Sequence, residues 1–294
     1  MKSLFKTDEG RKEILALYDQ KLRELKIDFE YLSINSSFGY TNIIASGDPT
    51  APPMIILHGA NGCAPVALET YPNLNKVYRV YAIDLLAQPN KSEGKRLSMK
   101  DDSYGRWINE IIDKLELDNV SMAGFSLGGL AILKTLEFDE SKIKEVFLSA
   151  PAYIANGNPL KALFRVFIPM RRFIRTQRRK HVERFLAELF TDRDEFALTF
   201  LSKVIVHFSM DFNSVPIIRQ SKAAAISTPI TLFAAKDDLL FPGAKMIERA
   251  SKIFPSLKKA VLFEDAKHVL GKTHNKAVEK VILHSQNHSA VLEG

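Results

Sequence analysis

Six residues, Gly124-Phe125-Ser126-Leu127-Gly128-Gly129, restrict the chain's fold more than any other stretch. They follow a short apolar run at 120–123 and precede a segment with Leu130, Leu133 and Leu136 at helical spacing. The order is therefore strand, sharp turn, helix. A Gly-x-Ser-x-Gly in that setting forces strained torsions on the serine, and it needs small neighbours because the backbone before and after nearly touches. Gly124 and Gly128 supply that absence of side chain. The helix after the turn aims its positive end at Ser126, and the Leu127 amide is free to donate to a developing oxyanion. The pattern alone is common, and its bland reading is a tight strand-to-helix turn, so the rest of the chain has to carry weight.

Around this turn, strand-like and helix-like segments alternate. Residues 7–26 place Leu15, Tyr18, Leu22 and Leu25 on one face of an amphipathic helix. Residues 29–34 and 40–46 read as an antiparallel hairpin across a polar connection at 35–39. The unbroken run Met54-Ile55-Ile56-Leu57 suits a strand buried on both faces and ends in His58-Gly59-Ala60-Asn61-Gly62. Residues 78–85 predict another buried strand, and 98–117 a crossover helix through Ile108, Ile111, Ile112 and Leu115. After the turn and its helix, 146–148 is strand-like. Alternation resumes with strand 229–235, helix 242–254, strand 257–263 and helix 272–284, and the last ten residues read as frayed. The fold class is α/β: a mostly parallel sheet with helices on both faces. Function in such sheets gathers at the carboxyl ends of the strands, here after Leu57, Ala123 and Ala235.

Length and charge narrow the class further. A chain of 294 residues, 46% hydrophobic and 26% charged, has the composition of a soluble globular protein with a sizeable core. The apolar runs are too short to span a bilayer and residues 1–12 lack an apolar signal core, so no membrane segment and a cytoplasmic location are expected. One cysteine, Cys63, allows neither an internal disulfide nor a cysteine metal cluster. The net charge of +7 is local: residues 152–227 hold thirteen Lys and Arg against six Asp and Glu, and the remainder is balanced.

A serine hydroxyl becomes a nucleophile only with a base in hydrogen-bond reach and a carboxylate to orient that base. The order expected for this turn is serine, acid, histidine. His268 sits just past the strand 257–263, and His274, at a helix start, is the runner-up. Asp237 and Asp238 both end the strand 229–235, and the residues leave the choice between them open. A second oxyanion amide is expected from the loop after His58-Gly59, with Ala60 first and Asn61 behind it. His58 itself reads as a holder of that loop. No dinucleotide fingerprint, phosphate loop or metal-ligand cluster is visible, so the expected chemistry calls for no cofactor and no metal.

These stretches, HGANG, GFSLGG, AAKDDLLFP and DAKHVL, resemble the α/β-hydrolase family across residues 29–284. More narrowly, FGYTNIIASG, the APP before HGA, YAIDLLAQPNKS and FSLGG resemble bacterial carboxylesterases of the naproxen-esterase type. The resemblance implies catalytic Ser126, Asp238 and His268, with the amides of Ala60 and Leu127 as oxyanion hole. It favours Asp238 over Asp237 as the acid. Ala235 and Lys267 stand where glycines are common in the family. Family members with aspartate at the turn act on haloalkanes or epoxides, and Ser126 argues against that chemistry.

In the family an insertion at 152–227 forms a helical cap, so residues 1–151 and 228–294 are expected to form the core. Nine of the nineteen Phe fall in the insertion. Most are expected to pack it, and a few to line an apolar pocket. Its basic stretch at 165–184 reads first as a solvated helical face, second as a weak contact with an anionic surface or partner, and third as a part of substrate choice; no motif accompanies it that would mark a nucleic-acid partner. The expected activity is hydrolysis of small apolar or aromatic carboxylic esters through an acyl-enzyme. Cleavage of an amide, thioester or carbon–carbon bond, or a non-catalytic binding module on the same fold, are the alternatives.

Overall fold

In the computed structural model, which describes residues 3–292 and side chains through residue 286, eight strands form one sheet in the order β1-β2-β4-β3-β5-β6-β7-β8. β1 (Phe29–Ser36) and β2 (Gly39–Ser46) form the antiparallel hairpin. The connection is tighter than expected: Asn35 and Ser36 already pair with Tyr40 and Gly39, which leaves Ser37 and Phe38 as the turn. β2 pairs antiparallel with β4 (Arg79–Ile83). From β4 onward every pairing is parallel, through β3 (Pro53–Leu57), β5 (Val120–Phe125), β6 (Ile143–Ser149), β7 (Ile230–Ala235) and β8 (Leu257–Phe263).

The period-2 rule of strands sorts the apolar runs onto two faces. In β3, Ile55 and Leu57 join one buried cluster while Met54 and Ile56 join the other. In β6, Val146 and Leu148 oppose Phe147 in the same way. The first face is covered by α3 (Ser103–Lys114), α4 (Leu127–Phe138) and α10 (Gly243–Ile253), through Trp107, Ile111, Leu130, Leu133 and Met246. The second is covered by α1 (Asp8–Glu24), α2 (Ala64–Thr70) and α11 (Lys272–Leu292), through Tyr18, Leu68, Val278 and Ile282.

Some element bounds differ from the sequence expectation. α2 carries no long apolar period, only seven residues with Pro65 near its start, and was not foreseen. α3 begins at Ser103 rather than near 98, because Asp101 Oδ1 accepts the Ser103 amide at 2.9 Å and holds a turn before it. α11 runs to Leu292 where fraying was expected; Glu293 and Gly294 lie outside the described residues.

Between β6 and β7 the chain makes α5 (Pro159–Ala162), a π-turn (Leu163–Phe167), α6 (Ile168–Thr176), α7 (Arg179–Leu189), α8 (Glu195–His207) and α9 (Gln220–Ala224). Val166, Met170, Phe173, Val182, Phe185, Leu186, Leu198 and Ile205 give this segment a cluster of its own. It is also strapped to the N-terminus. Lys6 N donates to His207 O and Ser209 N to Leu4 O, each at 2.8 Å, and Phe200 and Val204 of α8 belong to the cluster containing Tyr18 of α1.

Helix α3 crosses tightly on α4. A Cβ on Gly105 would stand 2.2 Å from Lys134 O, a backbone atom that cannot swing aside. Alanine adds about 1 kcal/mol of helix propensity, but overpacking of this kind costs about 3 kcal/mol. Gly105→Ala should therefore lower the unfolding free energy by about 2 kcal/mol, as read by urea denaturation. An unchanged midpoint would show that the helices do not cross this closely.

Candidate active site

Ser126 joins β5 to α4, as the residue that caps the helix, with φ 53° and ψ −112°, a left-handed conformation that a residue with a side chain adopts only under constraint. The constraint is visible in its bonds: Ser126 N donates to Ser149 O at 3.1 Å and Ser126 O accepts from Ala152 N at 3.0 Å. A Cβ on Gly128 would lie 2.4 Å from Leu57 O, and one on Gly124 would lie 2.8 Å from the Gly128 carbonyl. No side chain fits at either position, so the turn can press Ser126 against the end of β3.

Three segments far apart in sequence converge at this turn. His268, in the loop after β8, places Nε2 3.1 Å from Ser126 Oγ. Its Nδ1 lies 2.8 Å from Asp238 Oδ2, in the loop after β7. Asp238 is itself held: its Oδ1 accepts from the amides of Leu240 and Phe241 at 2.7 and 2.9 Å. With Nδ1–H donating to the carboxylate, Nε2 is left to accept from the serine hydroxyl. All three side chains are buried, and the Phe125 and Phe241 rings stand 5.0 and 5.3 Å from the imidazole. Asp237 is exposed and makes no contact with His268; its amide donates to Ala266 O. His274 is also elsewhere, with Nε2 2.9 Å from Asp265 Oδ1.

The loop after β3 adjoins the serine: a Cβ on Gly59 would be 3.4 Å from Ser126 Cβ. Among the described residues the amides of Ala60 and Leu127 donate to no protein acceptor. Ala60 is exposed, and Leu127 opens α4, whose dipole favours negative charge at that end. The Asn61 amide is instead taken by Gln88 Oε1 at 2.7 Å, so Asn61 does not offer a free donor.

Two buried groups hold this loop. His58 Nε2 accepts from Leu85 N at 3.0 Å, which leaves Nδ1–H to donate to Gly59 O at 2.7 Å. Burial pushes its pKa down to about 4, so the ring is neutral at pH 7. Asp84 accepts from Ala64 N, Asn42 Nδ2 and the Tyr18 hydroxyl at 2.7, 2.8 and 2.9 Å, which ties α2, β2 and α1 together. Burial raises its pKa to about 6 against these hydrogen bonds.

The segment after α7 grips the histidine loop on both sides. Thr191 Oγ1 accepts from Lys267 N at 2.9 Å and donates to Val269 O at 2.8 Å, while Val269 N donates to Leu189 O at 2.8 Å. Asp192 Oδ2 accepts from Lys272 N at 2.8 Å, at the start of α11. Sequence reading missed Thr191, Asp192, Phe241 and Asp84. For Phe241 and Asp84, a place just past a strand end was the available signal; for Thr191 and Asp192 there was none. Of the nine Phe between 152 and 227, Phe173, Phe185, Phe200 and Phe208 are buried, and the rings that touch His268 are Phe125 and Phe241, outside that segment.

The depressed His58 pKa has a measurable consequence. Between about 6.5 and about 4 the unfolded chain binds the extra proton, so this group's stabilisation is complete above pH 6.5 and is lost as pH falls toward 4. A shift of that size is worth roughly 3 kcal/mol. Urea unfolding of the native protein should lose more stability between pH 7 and pH 4.5 than the His58→Asn variant does. Asp84, whose raised pKa has the opposite linkage, is common to both proteins and cancels in the comparison. Parallel losses would mean that His58 titrates freely.

Comparison with known proteins agrees with this architecture. The family described as alpha/beta hydrolase fold matches residues 52–274. Two curated Bacillus subtilis (strain 168) proteins align with it: an uncharacterized carboxylesterase, nap, 30% identical over 135 residues, and the carboxylesterase YbfK, 33% identical over 138 residues. Each alignment covers 46% of this chain; the chain thereby spans less than half of either relative, 45% and 46% of their own lengths. Among solved structures, naproxen esterase (carboxylesterase NP) from Bacillus subtilis superposes with a TM-score of 0.81 at 22% identity, over 95% of this chain and 98% of that one. The carboxylesterase CesB (YbfK) from the same organism gives 0.78 at 22% identity, over 94% and 97%. At that identity the likeness speaks for the fold, and the family match across most of the chain speaks for descent: this chain belongs to the alpha/beta hydrolase fold family.

Proposed function

We propose that the protein is a serine hydrolase that cleaves carboxylic esters, small and apolar or aromatic, through an acyl-enzyme. The observation that carries the proposal is the unbroken hydrogen-bond chain from Asp238 through His268 to Ser126, beside two amides that have no protein acceptor among the described residues. As Ser126 Oγ attacks the ester carbonyl, His268 Nε2 takes its proton and Asp238 stabilises the imidazolium that forms. The Ala60 and Leu127 amides receive the oxyanion, each worth about 3 kcal/mol in the transition state. His268 then returns the proton to the departing alkoxide, and water repeats the sequence on the acyl-enzyme. No step calls on a cofactor or a metal.

Ester is favoured over amide, thioester or carbon–carbon bonds because the aligned curated relatives are named carboxylesterases. Phe125 and Phe241 beside His268 suit an apolar or aromatic acyl group. In this reading residues 152–227 are a cap on a core formed by 1–151 and 228–294, and the grip of Thr191 makes that cap part of what positions His268. No helix among the described residues is long and apolar enough to cross a membrane, and a cytoplasmic setting suits the single buried Cys63.

A fluorophosphonate probe should label the protein, and p-nitrophenyl esters should turn over. Ser126→Ala should abolish labelling and lower kcat by about a millionfold, and Asp238→Asn should lower it about ten-thousandfold, with unchanged circular dichroism. Saturable ester binding with neither labelling nor turnover would replace the enzyme with a binding module. Thr191→Val keeps the shape and the backbone bond from Thr191 N to Val269 O but loses both side-chain hydrogen bonds to the histidine loop. It should lower kcat about tenfold at constant KM, by the sensitivity of rate to misplacement of a catalytic group. Thr191→Ser should restore most of the loss; equal kcat in all three proteins would remove Thr191 from the positioning of His268.

A further inference from the structure

We propose that the outer face of the helix running from α5 through the π-turn into α6 docks on an anionic lipid bilayer, with Leu160, Leu163 and Phe164 entering the interface and the neighbouring arginines holding lipid phosphates. This does not rest on the esterase reading, and it concerns a surface remote in role from Ser126.

The continuous helix has a buried side and an outer side. Ala162 is buried, and Val166, Met170 and Phe173 are buried in the segment's own cluster. What remains outside is not the polar face that a solvated helix would show. Leu160 and Phe164 are 64% and 62% exposed, the highest values among the described large apolar side chains, with Leu163 exposed beside them and Ile174 exposed further along the helix. Phe212, also exposed, packs on the half-buried Phe167 at 5.8 Å. Single exposed apolar residues are ordinary, but a contiguous group on one element marks a contact surface.

The charge says which contact. Residues 159–184 carry nine Lys and Arg against one acidic residue, Glu183. Arg165 and Arg179 are engaged by Glu188, Glu183 and Glu195. Arg171, Arg172, Arg175 and Arg178 are exposed, and among the described residues no carboxylate pairs with them. The field is felt locally: partial burial, reinforced by Lys180, Arg172, Arg178 and Arg184, holds the His181 imidazole below its ordinary range.

Basic side chains flanking exposed Leu and Phe on a helix that lies along the surface are the pattern of an interfacial helix, whose arginine stems also snorkel toward headgroups. A second copy of this chain fits poorly, because a two-fold contact would set the same arginines against one another. Nucleic acid also fits poorly, because the aliphatic side chains of Leu160, Leu163 and Ile174 gain nothing against a phosphate backbone, whereas a bilayer interface takes them out of water.

Vesicles of phosphatidylglycerol and phosphatidylcholine in equal parts, against phosphatidylcholine alone, test this with the full chain. The anionic vesicles should cosediment the protein and the neutral ones should not, with binding that weakens as salt rises. Each basic side chain near an anionic leaflet contributes about fivefold in partitioning, so Arg171→Gln, Arg172→Gln and Arg175→Gln together should reduce it about a hundredfold. Leu160→Ser with Phe164→Ser should reduce it at least about tenfold. Because Trp107 is fully buried and gives a constant background, Phe164→Trp reports insertion directly: its emission should shift to the blue on anionic vesicles and be quenched by brominated acyl chains. Melting temperatures equal to that of the native protein exclude misfolding as the cause of lost binding. Absence of vesicle binding, equal binding to neutral vesicles, binding indifferent to the Leu160 and Phe164 substitutions, or retention of DNA without retention of vesicles would each overturn the proposal.

Discussion

The architecture depends on one close approach: the turn at Ser126 lies against the carboxyl end of β3 with no atoms to spare. Gly128 faces the carbonyls of Leu57 and His58, and Gly59 faces Phe125 and the Ser126 Cβ. That contact exists only because β3 and β5 are neighbours in the parallel sheet, which in turn requires their apolar runs to be covered on both faces. The positive φ of Ser126 is thus sustained by the whole sheet, and the strain is spent on lifting one hydroxyl clear of the strand toward the loops after β7 and β8.

Those loops are held from a different direction. The segment 189–192 runs alongside 267–272 and takes up the amides and carbonyls on either side of His268, so the histidine loop is pinned by residues that belong to neither of its flanking elements. The same segment's α8 is fastened to the N-terminal arm and α1. Motion of the helices between β6 and β7 therefore cannot be independent of the imidazole.

Beneath the loop after β3, the chain uses buried polar groups where apolar packing would have been simpler. His58 and Asp84 are both enclosed, and each is matched to backbone amides of neighbouring loops. A buried group left unmatched would cost about 1–3 kcal/mol, so each partner is needed once the group is in place. These hydrogen bonds specify the course of the loop in a way that an aliphatic side chain could not, since dispersion contacts have no direction.

The sequence by itself determined the alternation of strand and helix, the turn at Ser126, and the loops from which His268 and one of two adjacent aspartates would come. Those features are written in local spacing: apolar runs of strand length, helical periods, and glycines where backbone must touch backbone. Spacing left Asp237 and Asp238 open and only the family resemblance favoured Asp238; the tertiary structure gives the physical reason, because the Leu240 and Phe241 amides set the direction of the turn so that Asp238 faces the imidazole while Asp237 turns to solvent. It alone brought Thr191 and Asp192 to the histidine loop, some eighty residues away, because partners so distant leave no periodic mark on either segment. It also separated the basic helix into a packed side and an outer side that is apolar as well as charged. The π-turn in its middle defeats a regular helical count, and which side is covered depends on α7 and α8 folding back upon it.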